Sequence, residues 1–179
     1  MIAPLAPWRA SKIALCAAVF AIVSLSLAVF AADLSPVSDL GPSEPGFNGG
    51  AQIARVSQAG AGNRLNAVQS GQNVLMANQA GIANAAAMAQ AGSDNWSALA
   101  QTGSGNQFAG VQAGMGNRSV TLQSGSNNVA TVTQLGSAMS SQVTQLGVNN
   151  EVSILQSRNG AGLQVMQNGN GARASVLMK

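Results

Sequence analysis

Glutamine recurs along this chain at an almost constant interval of eleven residues. Eleven of the sixteen glutamines share this phase, and only one of their intervals is ten residues long. Self-similarity at a short fixed period indicates a repeat architecture, in which equivalent units stack on one another instead of enclosing one irregular core. The glutamines of the series are Gln58, Gln69, Gln79, Gln90, Gln101, Gln112, Gln123, Gln134, Gln145, Gln156 and Gln167.

Two more positions keep the same phase. Glycine stands two residues after the glutamine, except where Arg158 replaces it: Gly60, Gly71, Gly81, Gly92, Gly103, Gly114, Gly125, Gly136, Gly147 and Gly169. Asparagine stands five residues after most of the glutamines: Asn63, Asn84, Asn95, Asn106, Asn117, Asn128 and Asn150. The interval from Gln69 to Gln79 is one residue shorter than the others. Asn73 joins the asparagine series if that missing residue is assigned to the turn after Gln69. The unit is therefore Gln-x-Gly-x-x-Asn-x-z-x-z-x, in which z is apolar or small.

The unit predicts one strand followed by one tight turn. The alternation from Asn to the next Gln has a period of two, which is typical of a strand, and the glycine supplies positive φ in the turn. A helix would lose about 1 kcal/mol at each of these glycines, so the strand is favoured. The twelve predicted strands are 52–58, 63–69, 73–79, 84–90, 95–101, 106–112, 117–123, 128–134, 139–145, 150–156, 161–167 and 172–178.

The predicted fold is an all-β β-solenoid of about six two-strand coils, with two stacked parallel sheets. A seven-residue strand cannot bury its face alone, so consecutive strands face each other and stack on the strands two units away. The Gln and Asn amides then form inward ladders, because each amide both donates and accepts a hydrogen bond. None of the charged residues of the repeat falls on an inward position, which supports this assignment of faces.

The register also places charged residues side by side on the outer face. Glu151 lies next to Arg173, and Arg118 lies above Trp96, although a solvated surface is the favoured interpretation of the second pair. The repeat changes towards the C-terminal end, where Arg158, Arg173 and Lys179 add positive charge. Asn gives way there to Ala161 and Ala172, and the last Gln to Met178. This basic C-terminal end is expected to be partly protected or to contact something other than an identical subunit.

Residues 1–31 have the features of a signal peptide, with Arg9 and Lys12 before the apolar run from Ile13 to Phe30. Cleavage is expected after Ala31 or the next alanine. A retained membrane anchor is the alternative, because the apolar run approaches the length that spans a bilayer. Residues 32–51 are rich in Pro, Gly and acidic residues and are expected to form a disordered leader. Residues 52–179 are the predicted solenoid domain.

The composition argues against several functional classes. The chain has no His, and its single Cys16 lies in the predicted signal peptide, so no Cys/His metal site is expected in the mature protein. Asp94 and Glu151, the acids of the repeat, are predicted on different sheets and cannot act as a catalytic pair. The basic residues are scattered singly, which does not favour nucleic-acid binding. We therefore expect no enzyme activity, no cofactor and no small-molecule substrate.

The repeated unit resembles the curlin repeat, as in QAGAGNRLNAVQ (58–69), QTGSGNQFAGVQ (101–112) and QLGVNNEVSILQ (145–156). The resemblance covers about residues 52 to 179. It implies secretion through an outer-membrane curli channel that recognises the leader, and assembly with itself or with other curlin subunits into an extracellular amyloid fibre at the cell surface. It further implies roles in adhesion and biofilm matrix. The lack of Tyr and the tail GARASVLMK are more similar to the minor, nucleating subunit than to the major one. A monomeric secreted β-solenoid adhesin is the alternative.

Overall fold

The computed structural model describes residues 52–179, which form ten strands and no helix. The predicted signal peptide and leader lie outside the described residues. Within the described part of the chain, no helix is long and apolar enough to span a membrane. The strands are β1 Ile53–Ala61, β2 Arg64–Ile82, β3 Ala85–Ser104, β4 Gln107–Met115, β5 Arg118–Ser126, β6 Val129–Ser137, β7 Ser140–Val148, β8 Glu151–Gln156, β9 Gly162–Asn170 and β10 Arg173–Met178.

All strand pairs are parallel, and each strand pairs with segments one full coil away. Trp96 aligns with Arg118, which aligns in turn with Ser140, so one coil advances the chain by 22 residues. Gln aligns with Gln at every coil until Gln156, which aligns with Met178. The predicted all-β solenoid of about six coils is therefore confirmed.

The coils form two layers that face each other. Layer A contains β1, the second halves of β2 and β3, and then β5, β7 and β9. Layer B contains the first halves of β2 and β3, followed by β4, β6, β8 and β10. Because β2 and β3 each contribute to both layers, the backbone pairing is continuous and forms one ten-stranded sheet that is folded back on itself.

The strands extend further than the predicted seven residues. β4 begins one residue after Asn106 and continues past Gln112 to Met115. The reason is that the turn residues also pair from coil to coil, as Gly92 does with Gly114. In β2 and β3 this pairing runs through a whole turn, so ten strands cover the twelve predicted segments.

The single ten-residue interval is absorbed in the turn after Gln69. Gln72 aligns with Ser93 whereas Asn73 aligns with Asn95, so Asp94 has no counterpart in the shorter turn. This adjustment matters because a slip of one residue would move all the following side chains to the opposite face. The predicted position of the missing residue is confirmed.

The core lies between the two layers. In β6, buried Ala130, Val132 and Gln134 alternate with half-buried residues. All eight charged residues of the described region are exposed, which confirms the predicted assignment of faces. Burial falls at the first coil, where inward Val56 is 52% exposed although Val132 is 1% exposed. The apolar core cluster consists of Leu75, Ala77, Ala86, Met88, Leu99, Phe108, Ala130, Val132, Val143, Val152 and Ile154.

Candidate functional site

The inward glutamines form two columns of side-chain hydrogen bonds, one in each layer. Nε2 of Gln101 donates to Oε1 of Gln123 at 2.8 Å, and Gln123 donates in the same way to Gln145 at 2.8 Å. In every such bond the donor lies in the coil nearer the N terminus. Bonds of 2.5–2.9 Å connect Gln58, Gln79, Gln101, Gln123, Gln145 and Gln167 in layer A, and Gln69, Gln90, Gln112, Gln134 and Gln156 in layer B.

Each glutamine from Gln69 to Gln167 also donates to a backbone carbonyl of the opposite layer. Nε2 of Gln101 reaches the Ala85 carbonyl at 3.2 Å, and that of Gln123 reaches the Gln107 carbonyl at 2.9 Å. Both hydrogens of the amide are then used, and its oxygen accepts from the preceding coil. A buried amide with all these partners carries little desolvation penalty, which explains polar residues at inward positions.

The asparagines form shorter columns in which the bonds run in the opposite direction. The backbone N–H and Nδ2 of Asn106 both donate to Oδ1 of Asn84 at 3.1 Å, so here the donors lie in the later coil. Nδ2 of Asn106 also donates to the carbonyls of Thr102 and Gly125 at 3.1 and 3.0 Å. Each such asparagine therefore bonds to a carbonyl of its own turn and to a carbonyl of the turn in the next coil. Layer A contains Asn73, Asn95 and Asn117, and layer B contains Asn63, Asn84, Asn106, Asn128 and Asn150.

Close backbone approach makes the turn glycines necessary. At Gly114, where φ is 119°, a Cβ atom would overlap the carbonyl oxygen of Gly136 in the next coil. The same overlap with the next glycine occurs at Gly60, Gly71, Gly81, Gly92, Gly103, Gly125 and Gly147. At Gly136 the neighbour is instead the side chain of Asn159, and at Gly169 no atom lies within 4 Å.

A second left-handed position, two residues after the turn glycine, was not predicted. It is occupied by Gly62, Ala83, Asp94, Gly105, Gly116, Asn127, Ala138, Asn149, Gly160 and Gly171, all with positive φ. Half of these residues are glycine, and Asn and Asp tolerate the left-handed region better than other side chains. The five glycines could have indicated this second position in the sequence, but Ala83 and Ala138 at two of the equivalent positions obscured the pattern.

The columns are interrupted towards the C-terminal end. Met139 stands in an asparagine position of layer A, although its backbone N–H still donates to Oδ1 of Asn117 at 3.1 Å. Ala172 does the same in layer B, where its N–H donates to Asn150 at 3.0 Å. Along the layer B column, Nε2 of Gln156 faces the Sδ atom of Met178 at 3.8 Å instead of a glutamine Oε1 atom. These substitutions keep the backbone stacked but end the two asparagine columns and the layer B glutamine column, whereas the layer A glutamine column continues to Gln167.

The turn that contains Arg158 closes differently from the others. The Ala161 N–H donates to the Arg158 carbonyl at 3.2 Å, and Oδ1 of Asn159 accepts from the Ser137 N–H at 2.9 Å. Oδ1 of Asn159 thus lies against the turn that contains Gly136 in the preceding coil. At the equivalent place in most other turns, the neighbouring atom is the carbonyl oxygen of the next turn glycine. Of the predicted basic end, Arg158 and Lys179 are exposed.

Two predicted outer-face pairs are in contact. Arg173 lies 3.5 Å from Glu151, with both side chains more than half exposed. Cζ of Arg118 lies 3.9 Å from the ring centroid of Trp96. The preferred interpretation of the second pair as solvated surface was wrong, because alignment in adjacent coils places the guanidinium on the ring.

The chemistry of this region is repetitive hydrogen bonding between coils. Among residues 52–179, no group of three or more His, Cys, Asp or Glu side chains could hold a metal ion. Asp94 lies in a turn, and Glu151 lies on the outer face of a later coil. What the geometry offers is an array of backbone and side-chain amides whose coil-to-coil bonds point along the stacking axis.

Comparison with protein families gives one match. Residues 120–147 match the model of the curlin associated repeat, and this segment spans most of β5, all of β6 and most of β7. Neither the curated proteins nor the solved structures that were searched gave a match. The matched segment has the same Gln positions as the coils on either side of it. Over residues 120–147 the chain is therefore similar to the curlin associated repeat.

Proposed function

We propose that residues 52–179 are a structural subunit that stacks end to end into an extracellular amyloid fibre of the curli type, for cell adhesion and biofilm matrix. The curlin repeat and the solenoid fit a structural subunit of this kind. The observation that carries the proposal is the layer A ladder, in which hydrogen bonds of one direction run from Gln58 to Gln167. A ladder of this kind can continue into another chain, as in cross-β fibres.

The open ends of the solenoid support the same proposal. β1 pairs only with β2, and β9 and β10 each pair with one strand among the described residues. Such edge strands present unpaired N–H and C=O groups, which form a template for strands of another chain. Inward Val56 is 52% exposed at this edge, and stacking of another coil would bury it.

The proposal extends to export and assembly. Residues 1–31 would act as a signal peptide and residues 32–51 as a leader that an outer-membrane curli secretion channel recognises. The partners are then curlin subunits and the secretion and assembly machinery. The absence of Tyr and the basic residues Arg158, Arg173 and Lys179 favour the minor, nucleating type of subunit over the major type.

The proposal can be tested by diluting the full chain from denaturant and following amyloid-dye fluorescence, sedimentation and fibre diffraction. We expect fibres with reflections at about 4.8 and 10 Å. Val56→Asp should raise the critical concentration at least about tenfold, because the carboxylate is solvated in a single chain but buried at the junction between chains. Ser57→Asp is the matched control, since its side chain faces outwards on the same strand, and it should assemble like the unmodified chain.

A monomeric secreted β-solenoid adhesin is the second candidate. The observation that favours it is the unlike last coil, in which Ala161, Ala172 and Met178 replace the amides of the ladders. A chain that stays dispersed and dye-negative at micromolar concentration would overturn the fibre proposal and support this candidate. Fibres that Val56→Asp does not weaken would instead exclude stacking through the first coil.

A further inference from the structure

The two ends of the solenoid present different hydrogen-bonding groups. In the glutamine columns Nε2 points towards the next coil and Oε1 towards the previous one. No described coil precedes the first, so Oε1 of Gln58 and Gln69 point to its open edge. The backbone N–H of Asn63 points the same way, because later asparagines use this group to reach Oδ1 in the preceding coil. A coil that stacks on the open edge of the first coil would therefore have to supply two amide donors and one side-chain acceptor to satisfy these three groups.

The last coil supplies only part of what this edge requires. Gln167 uses one Nε2 hydrogen for the Glu151 carbonyl, which leaves the other to point along the column. In layer B, Met178 occupies the corresponding position and has no amide. Ala161 and Ala172 occupy the asparagine positions and have no side-chain acceptor.

A second copy stacked on the last coil would therefore meet it with one side-chain ladder bond, from Gln167 to Gln58 of the incoming chain. An interior junction has four such contacts. Between the third and fourth coils they run from Gln101 to Gln123, from Gln112 to Gln134, from Asn117 N–H to Asn95, and from Asn128 N–H to Asn106. The junction between identical copies is thus much weaker in directed hydrogen bonds than the interior of the chain.

Charge on the outer face opposes the same junction. The first outward column of layer B runs through Arg64, Ala85, Gln107, Val129, Glu151 and Arg173. A second copy would place its Arg64 directly after Arg173, one strand spacing away. Like charges directly opposite on neighbouring strands are destabilising. The open edge of the first coil therefore fits the last coil of a subunit that carries an acidic residue at this outward position.

We propose that the open edge of the first coil binds the last coil of a different solenoid subunit rather than a second copy of this chain. That partner has Gln at both ladder positions, Asn at both turn positions and an acidic side chain facing Arg64. The inference rests on the proposed end-to-end stacking and specifies its partner. The mismatch at Ala172, Met178 and Arg173 makes the junction between two identical copies weak.

The test converts the last coil into the matching partner. Ala172→Asn with Met178→Gln restores both amides in layer B, and the control is Ser175→Asn with Leu177→Gln, which places the same residues on the outer face of the same strand. Full chains are grown on sonicated seeds of their own type, and the soluble protein that remains at the plateau is measured. The restored chain should have a critical concentration roughly 5- to 30-fold lower than the unmodified chain, and the control should differ little from it.

A second pair of variants tests the charge. In the restored chain, Arg64→Gln should lower the critical concentration further, whereas Arg55→Gln should not, because Arg55 would stack on the uncharged Gln164. If all chains form fibres with the same critical concentration, the inference is overturned and the stacking proposal stands. If none of them forms cross-β fibres, the stacking proposal fails and the inference fails with it.

Discussion

Gln101 and Gln123 lie one coil apart, are fully buried, and are joined by a 2.8 Å hydrogen bond from Nε2 to Oε1. Each also donates to a backbone carbonyl of the opposite layer. A buried amide that loses such partners costs far more than a satisfied one contributes. The stability of each coil therefore depends on the identity of the residue directly above and below it.

Replacing a central ladder residue should destabilise the single chain. Gln123→Leu leaves an Nε2 hydrogen of Gln101 and the Oε1 atom of Gln145 without partners in the core. We expect the free energy of unfolding to fall by about 2–4 kcal/mol. Gln142→Leu, on the exposed face, should change it by less than about 0.5 kcal/mol. Urea unfolding of unassembled protein measures both, and equal midpoints for the two variants would contradict the buried ladder.

The two left-handed positions of one turn should differ in their tolerance of alanine. Gly114→Ala places Cβ against the carbonyl of Gly136, whereas Gly116 has no atom within 4 Å of an added Cβ. Gly116→Ala should cost about 1–2 kcal/mol for the left-handed backbone alone. Gly114→Ala should cost at least about 2 kcal/mol more, since the backbone must move. Thermal unfolding compares them, and a smaller loss for Gly114→Ala would show that the coils are not this close.

Removing one buried hydroxyl should stabilise the chain. Oγ1 of Thr121 is buried and, among the described side chains, is the one buried polar atom without a hydrogen-bond partner. Leu99 and Val143 occupy the same inward column in the adjacent coils. Thr121→Val should therefore raise the free energy of unfolding by about 1 kcal/mol or more. Thr131→Val, on the outward face, serves as the control, and a loss of stability in Thr121→Val alone would argue for a hidden partner.

The contact between Arg118 and Trp96 should be measurable as a coupling energy. A double-mutant cycle with Arg118→Gln and Trp96→Leu should give about 0.5–1 kcal/mol, because the pair lies on an exposed surface. The same cycle with Arg55→Gln in place of Arg118→Gln should give no coupling. Additive effects of Arg118→Gln and Trp96→Leu would mean that the guanidinium does not rest on the ring in solution.

The layers and the register could be predicted because the repeat admits few alternatives. With Gln at a fixed interval, only alignment of Gln90 with Gln112 and its equivalents keeps every ladder residue inward. The same requirement located the deletion, since only a shorter turn before Asn73 keeps Leu75 and Gln79 buried. The absence of charge from inward positions gave an independent check on the faces.

The direction of the ladders could not be predicted, because an amide carries a donor and an acceptor and the sequence does not say which points to which coil. The opposite directions of the Gln and Asn columns become visible only in the hydrogen bonds. The second left-handed position was hidden by Ala83 and Ala138, residues that rarely adopt positive φ without support from the neighbouring coils. Strand length was underestimated since coil-to-coil pairing of the turns is a tertiary effect.

Solid-state NMR provides the most direct test of the stacked glutamine columns. Full chain labelled with ¹³C at the side-chain amide carbon of Gln would be assembled at high dilution in unlabelled chain, so that the couplings arise within one molecule. Stacked coils predict that buried glutamines such as Gln101 and Gln123 couple to neighbours about 4.8 Å away, the spacing of adjacent strands. Gln amide carbons separated by several ångström more than this spacing would contradict the ladder and, with it, the proposed continuation from chain to chain.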